Sequence, residues 1–363
     1  MGAVSSVSDS GAGPVSRHRA RSPRRLWRKV VAVVAAAVIV AGATLAGSVF
    51  AAAEKYDSNV SRIDAFKRSD TEQQARLRPR VDGPLTFLVV GSDSRAQDST
   101  DAGEVAATSG QRTDTIMLVH LQSDQESGYV VSIPRDTFVD IPPGGSWNGG
   151  KGKINAAFQF GGIPLLVETI EDFTEVRIDH VVVIDFKGVE RVVDAVGGID
   201  VTVAESVRDS QTKAEFTEGV NHLDGKHALD YVRQRYGLPE GDFDRIKRQH
   251  QFLFALLAKA GSTGTLANPV KLNAFLDAAT KSITVDNDLG IVDLAFQLRS
   301  LRPADFTFLT TPIAGYDTDP TWGSILVPYR DKAAELFQAL SDDALLTWVS
   351  ANPAYASDPT RGF

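Results

Sequence analysis

Three hydrophobic patterns succeed one another along the chain. The first is continuous: from Val30 to Ala53 no residue is charged, and Val and Ala mix with Leu, Ile and Phe over a length that spans a bilayer at about 1.5 Å per residue. The basic residues before it, Arg17, Arg19, Arg21, Arg24, Arg25, Arg28 and Lys29, keep that end in the cytoplasm by the positive-inside bias. The body of the chain is then expected outside the cell membrane, behind a single pass. Ala51-Ala52-Ala53 offers small residues for cleavage, but the run is longer than a usual signal-peptide core, which favours an uncleaved signal anchor. Residues 1–29, rich in Gly, Ser, Pro and Arg, read as a disordered basic tail. Residues 54–83 read as a polar, helix-compatible stalk.

The second pattern is one of short apolar runs bounded by turn residues. Leu85 to Val90 is a strand ending in the Gly91-Ser92 turn; Thr115 to Leu121 and Gly128 to Ile133 are further strands, the latter stopped by Pro134. Val181 to Asp185, Ile199 to Val203 and Phe306 to Thr310 follow the same rule. The third pattern has helical spacing. It predicts helices over Ile154–Phe160, Pro164–Phe173, Lys187–Val196 (ended by Gly197-Gly198), Asp224–Val232, Pro269–Ala279, Gly290–Leu301 and Tyr329–Leu340. Asp244 to Ala260 has the strongest periodicity, through Ile246, His250, Leu253 and Leu257, with Asp244 as its expected N-cap. Strands and helices alternate, so the expected fold is α/β: a mixed central β-sheet with helices on both faces. One folded domain is expected over 84–345, with a tail at 346–363.

Composition narrows the function. The net charge of -8 hides a basic N-terminus, and the chain after residue 29 carries about -14. That acidic body excludes nucleic acid as a partner, and the basic tail is too small for a DNA-binding domain. The chain has no cysteine, which removes disulfides, thiolate metal sites and catalytic thiols. Its six histidines show no HExxH spacing, so zinc is not expected. Gly145 to Lys151 matches the first part of a P-loop, but Gly152 stands where Ser or Thr is needed and no strand leads into it. No G-x-S-x-G elbow is present either.

Against this acidic background, Arg and Asp stand together in five short stretches at strand ends or a helix start. They are Gly91-Ser-Asp-Ser-Arg95, Arg112-Thr-Asp-Thr115, Ser132-Ile-Pro-Arg-Asp-Thr137, Tyr231-Val-Arg-Gln-Arg235 and Gly241-Asp-Phe-Asp-Arg-Ile-Lys-Arg-Gln249. Open α/β sheets place ligands at such ends. Arg245, Arg248 and Gln249 share one face of the first helical turns, where cations oppose the macrodipole unless an anion is bound. Arg233 and Arg235 alternate and would project to one side of an extended segment. Guanidinium groups chelate phosphate in a planar fork, and two carboxylates such as Asp93 and Asp114 could share one Mg²⁺ with phosphate oxygens. Surface ion pairs and turn caps would use the same residues.

Taken together and in order, Val90-Gly-Ser-Asp-Ser-Arg95, Arg112-Thr-Asp-Thr-Ile-Met-Leu118, Ser132-Ile-Pro-Arg-Asp-Thr137, Lys153-Ile-Asn-Ala156, Ala228-Leu-Asp-Tyr-Val-Arg-Gln-Arg235 and Gly241-Asp-Phe-Asp-Arg245 with Arg248-Gln249 resemble the LytR-CpsA-Psr family of envelope proteins. The resemblance runs from about Leu85 to Ala260. It implies transfer of an anionic glycopolymer, such as teichoic acid, capsule or arabinogalactan, from a polyprenyl-pyrophosphate carrier to peptidoglycan. It further implies Mg²⁺ on Asp93 and Asp114, and pyrophosphate on Arg112, Arg135, Arg233, Arg235 and Arg248. Arg95, Lys153, Asp242, Arg245 and Gln249 would line the same site, with Asp242 taking the proton of the acceptor hydroxyl. A hydrolase of polyprenyl pyrophosphates and a non-catalytic envelope sensor or transcription attenuator are the alternatives. The carrier's tail would need an apolar slot, and Phe158, Phe160, Val182 and Ile184 are expected as plain core instead.

Overall fold

A computed structural model describes residues 54–66, 83–92, 113–291, 294, 298 and 301–362. The expected anchor at 30–53 lies outside them, and among the described residues no helix is long and apolar enough to cross a membrane. The strands are β1 (Ser61–Ile63), β2 (Leu85–Ser92), β3 (Thr113–Leu121), β4 (Gly128–Ser132), β5 (Phe138–Ile141), β6 (Gly150–Lys153), β7 (His180–Asp185), β8 (Ile199–Val203), β9 (Val207–Arg208), β10 (Glu215–Phe216), β11 (Gly219–Leu223), β12 (Ile283–Asp286), β13 (Phe306–Thr310), β14 (Ile313–Asp319), β15 (Gly323–Pro328) and β16 (Ala356–Ser357). The longer helices are α1 (Ile154–Thr174), α2 (Phe186–Val196), α3 (Gly225–Arg233), α4 (Asp242–Ala260), α5 (Pro269–Thr280), α6 (Arg330–Ser341) and α7 (Leu345–Ala351).

Eight strands form one mixed sheet in the order β1-β12-β7-β2-β3-β4-β13-β16. The pairs β2–β7 and β4–β13 are parallel, whereas β2–β3 and β3–β4 are antiparallel. The C-terminal ends of β2, β7, β4 and β13 therefore meet the N-terminal end of β3 along one edge. Alternate residues of each central strand enter different cores. Leu88 and Val90 of β2, Ile116 and Leu118 of β3, and Tyr129 and Val131 of β4 pack with α1, α6 and α7 on one face. Met117 of β3 and Val130 of β4 meet Phe308 and the α4 residues Leu253 and Phe254 on the other. Covered on both faces, these strands are mostly apolar, with buried polar groups meeting each other as Thr86 Oγ1 meets His120 Nδ1 at 3.0 Å, and so they stood out as near-continuous runs.

The expected helices at Ile154–Phe160 and Pro164–Phe173 are joined end to end as α1, broken at Gly162, whose φ of 66° and ψ of -157° lie outside the helical region. Gly197 ends α2 in the left-handed conformation, as expected. Three expectations are corrected. The stalk is in part a strand: β1 pairs with β12, Ile63 is buried, and Tyr56 donates to Asn273 Oδ1 at 3.0 Å. The tail at 346–363 is part of the folded domain, because Trp348 of α7 is buried and β16 pairs with β13. Asp244 does not cap α4. Gly241 does, with φ 57° and ψ -106°, while Asp244 Oδ2 reaches back to accept from the Glu240 N–H at 2.8 Å. Phe158 is core as expected, whereas Phe160 is partly buried against it.

Candidate functional site

The sheet edge just described gathers much of the expected chemistry. Asp114 stands at the start of β3, and Arg135 follows β4 after the Pro134 stop; Arg135 Nη1 donates to Asp114 Oδ1. The segment leaving Arg135 becomes β5, which pairs with β6 so that Phe138 lies opposite Lys153. The sequence marked this stretch only by the incomplete P-loop match at Gly145 to Lys151. The hairpin brings Lys153 Nζ to 3.3 Å from Asp136 Oδ1, just as the chain enters α1. From the other side, the N-terminus of α4 brings Asp242 and Arg245, joined Oδ1 to Nη1 at 3.3 Å. Arg235, beyond the end of α3, has no carboxylate partner among the described residues and lies 5.1 Å from the Tyr236 ring.

Arg135, Lys153, Arg235 and Asp242 line one open cavity of about 490 Å³, together with Asp136, Asn155, Gln159, Tyr316 and Trp322. The β14–β15 hairpin forms its far wall. It is fastened by the Leu326 N–H donating to Asp136 O at 2.9 Å and by Trp322 Nε1 donating to Lys151 O at 3.2 Å. The Tyr316 ring packs edge-on to Phe243 of α4 with 6.1 Å between centroids. Burial and then Asp242, Glu240 and Asp244 push the Tyr316 hydroxyl above its ordinary pKa, so it stays a donor beside those carboxylates.

The electrostatics suit an anion. Burial disfavours the charge on Arg135, but Asp114, Asp136 and Asp242 outweigh it and raise its pKa. Arg245 is lowered, first by burial and then by Arg135 and Arg235, against the opposing pull of Asp242 and Asp114. Its Nε, like that of Arg135, has no hydrogen-bond partner among the described residues. Cations this close and incompletely satisfied gain from an oxyanion that accepts several N–H groups.

Not every expected residue reaches the cavity wall. Arg248 is 1% exposed, its guanidinium 4.4 Å from the Tyr231 ring and 5.4 Å from that of Phe216. Nη1 donates to Gln234 Oε1, while Nε and Nη2 have no hydrogen-bond partner among the described residues. Burial lowers its pKa and pushes the Tyr231 hydroxyl up to about 12. Gln249 is buried beside it, its side-chain amide 3.5 Å from Val232 O. The expected extended alternation of Arg233 and Arg235 does not hold, because Arg233 is still the last residue of α3. The Arg233 guanidinium sits over the Phe186 ring at 4.8 Å. Asp93, Arg95 and Arg112 lie outside the described residues. Sequence reasoning assigned no role to Asp136, Asn155, Gln159, Tyr316 or Trp322. Asp136 stood inside a quoted motif, whereas Tyr316 and Trp322 carried no local signal because only the hairpin's docking brings them to the site.

Among the described residues no three His, Asp or Glu side chains form a metal-binding group. Mg²⁺ needs fewer, since it is commonly held by one or two carboxylates with phosphate oxygens and water. Asp114, a half-buried carboxylate at the edge of the cation cluster, fits one such contact.

The sequence matches the LytR_cpsA_psr family over residues 46–340. It is 36% identical over 288 residues to the probable cell wall biosynthesis protein LcpB of Corynebacterium glutamicum, covering 78% of this chain and 66% of that one. It is 34% identical over 276 residues to the cell wall biosynthesis protein LcpA of the same organism, covering 68% and 53%. The chain thus spans between about half and two thirds of these relatives' own length. The polyisoprenyl-teichoic acid–peptidoglycan teichoic acid transferase TagV of Bacillus subtilis is 31% identical over 271 residues, covering 72% of this chain and 64% of that one. A crystal structure of TagV matches this fold with a TM-score of 0.59 and 30% identity, covering 73% of this chain and 98% of the crystallised one. With a family match that takes in most of its length and the sheet-edge site within it, the chain belongs to the LytR-CpsA-Psr family.

Proposed function

We propose that this protein transfers an anionic glycopolymer from a polyprenyl-pyrophosphate carrier to a peptidoglycan hydroxyl, at the outer face of the membrane that anchors it. The observation that carries the reading is the convergence of Arg135, Lys153 and Arg235 on one cavity that also holds Asp242, with Arg245 buried behind its wall and paired to Asp242. The names of the relatives, two in cell wall biosynthesis and one a teichoic acid transferase, support it.

In this mechanism Arg135, Lys153 and Arg235 hold the pyrophosphate, and each is fixed by a carboxylate or by packing before the substrate arrives. Arg135 exchanges part of its bond to Asp114 for phosphate oxygens. The acceptor hydroxyl attacks the phosphorus that carries the sugar; its O–P bond forms as the bond to polyprenyl phosphate breaks, and Asp242 takes the proton. Asp114, with Asp93, would hold Mg²⁺, which when bound supplies further charge neutralisation at the phosphate oxygens. Arg248 supports the site from behind, through Gln234 and the Tyr231 ring.

The test is incubation of the full-length protein in detergent with a labelled polyprenyl-pyrophosphate glycan and peptidoglycan. A new phosphodiester on peptidoglycan is expected, formed on the order of 10²-fold more slowly by Arg135→Ala. Phosphate release at a rate indifferent to the acceptor would replace transfer by hydrolysis.

A further inference from the structure

The first described residues tie the chain to α5 in a definite direction. Residues 54–59 are helical, and Glu54 follows directly on the uncharged run that ends at Ala53. Asn59 Nδ2 donates to Asp277 Oδ1 at 3.2 Å and to Thr280 Oγ1 at 3.3 Å, whereas Lys55 Nζ and the Tyr56 hydroxyl donate to Asn273 Oδ1 at 3.2 and 3.0 Å. Going back along the chain towards the apolar run therefore means going towards the N-terminus of α5. One turn beyond Asn273 stands Val270, and one turn's length before Tyr56 the apolar run ends.

That end of α5 is inverted relative to what water selects. In the single turn Thr263–Leu266 that precedes α5, Thr265 is 1% exposed while Leu266 is 54% exposed. In α5 the buried residue is Thr280, and Val270 is 76% exposed. Ala267 and Pro269 between them are exposed as well. Hydrogen bonds fix the corner in this form: Thr265 Oγ1 donates to Lys259 O at 3.0 Å, and Asn268 Oδ1 accepts from the N–H groups of Val270 at 3.0 Å and Lys271 at 3.2 Å. From Lys259 to Leu276 the chain carries those two lysines, Lys259 and Lys271, and no acid, within an acidic body. A fixed apolar edge flanked by lysines suits the headgroup layer of an anionic bilayer, where the lysine stems lie along the acyl boundary and the ammonium groups reach phosphate.

We propose that the corner from Leu266 to Val270 docks on the outer surface of the membrane that the apolar run enters, with Leu266 and Val270 inserted and Lys259 and Lys271 at lipid phosphates. This rests on the reading of residues 30–53 as a membrane anchor. Held at the anchor and at this corner together, the domain keeps one orientation on the bilayer instead of swinging about a tether.

The protein has no cysteine, so a label can be placed at one position at a time. Full-length Leu266→Cys, Val270→Cys and, as a control, Leu346→Cys are labelled with a polarity-sensitive fluorophore. Each is reconstituted, one copy per disc, into phosphatidylglycerol–phosphatidylcholine nanodiscs that carry nitroxide lipids. Leu346 is 69% exposed on α7, which packs on the face of the sheet opposite α4. Labels at positions 266 and 270 are expected to be quenched at a depth of about 5–10 Å, and the label at 346 to stay in water. Lys271→Gln in the Val270→Cys background is expected to lower the docked-to-free ratio about fivefold, the equivalent of about 1 kcal/mol for one lysine at an anionic surface. Labels at 266 and 270 that are as open to water as the control, in protein that has inserted, overturn the docking. Shielding that needs two copies in a disc also overturns it, and assigns the corner to a second copy of this chain. Protein that fails to insert into discs strikes at the anchor reading itself, and the docking falls with it.

Discussion

His250 shows how burial at a single residue reaches the behaviour of the whole protein. It is fully buried, with Nε2 2.8 Å from Ser132 Oγ and Nδ1 2.6 Å from Ser357 Oγ, so it joins α4 to β4 and β16. Burial holds its imidazole down to about 3. In the unfolded chain it would titrate near 6.5, so between those values the unfolded state binds the extra proton and stability falls as pH falls. Through this residue the unfolding free energy is expected to drop by about 2 kcal/mol from pH 7 to pH 5. Denaturant unfolding at both pH values checks this, and His250→Gln should remove that part of the slope. The arginines differ for the same reason. Arg135 is raised by its carboxylates, whereas Arg248, enclosed by two rings, is lowered by burial.

At the level of elements, the start of α4 sets the site. Gly241 adopts a φ of 57° with ψ -106°, outside the region open to other residues, and this sharp entry lets Asp242 begin the helix beside Arg245. Space is not the constraint, since among the described residues nothing beyond its chain neighbours lies within 4 Å of where a Cβ would be. Gly241→Ala should therefore cost about 1–3 kcal/mol of backbone strain, read as a lower thermal midpoint, and should reduce transfer by moving Asp242. An equally stable and active variant would mean that the conformation is not needed. The β5–β6 and β14–β15 hairpins act in the same way, since one delivers Lys153 and the other closes the far wall.

At the scale of the molecule, the sheet is completed from both ends of the sequence. β1 joins one edge through β12, and β16 the other through β13. Leu345 and Trp348 fill the core beneath, and Gln251 Nε2 donates to Thr202 O at 2.9 Å and Arg361 O at 3.1 Å. A chain ending at Ala344 should lose at least the stability typical of truncating one buried Trp, about 3–5 kcal/mol, and also leave β13 as an open edge. Unfolding of the purified shortened protein measures this; unchanged stability would show the segment to be an appendage.

The central strands and the helices were legible because their burial is local in origin. Leu85–Val90 is apolar at every position but Thr86, because both faces of the strand are covered, and α4 must repeat near every fourth residue if one side packs. Arg135, Arg235, Asp242 and Arg245 were legible as candidates because Arg beside Asp at element ends is conspicuous in an acidic chain, and Lys153 was legible only through the family resemblance. Their convergence was not. It follows from the end of β4, the β5–β6 hairpin, the exit of α3 and the start of α4 meeting at one place, which depends on how these elements pack rather than on any segment. β1 and β16 were invisible because strands of three and two residues carry no periodicity and exist only through their partners. Tyr316 and Trp322 are the clearest case: nearly two hundred residues after Arg135, they join its cavity only because the hairpin docks on Asp136 and Lys151. Local composition determined which residues could do chemistry, and the tertiary structure alone decided which of them share a site.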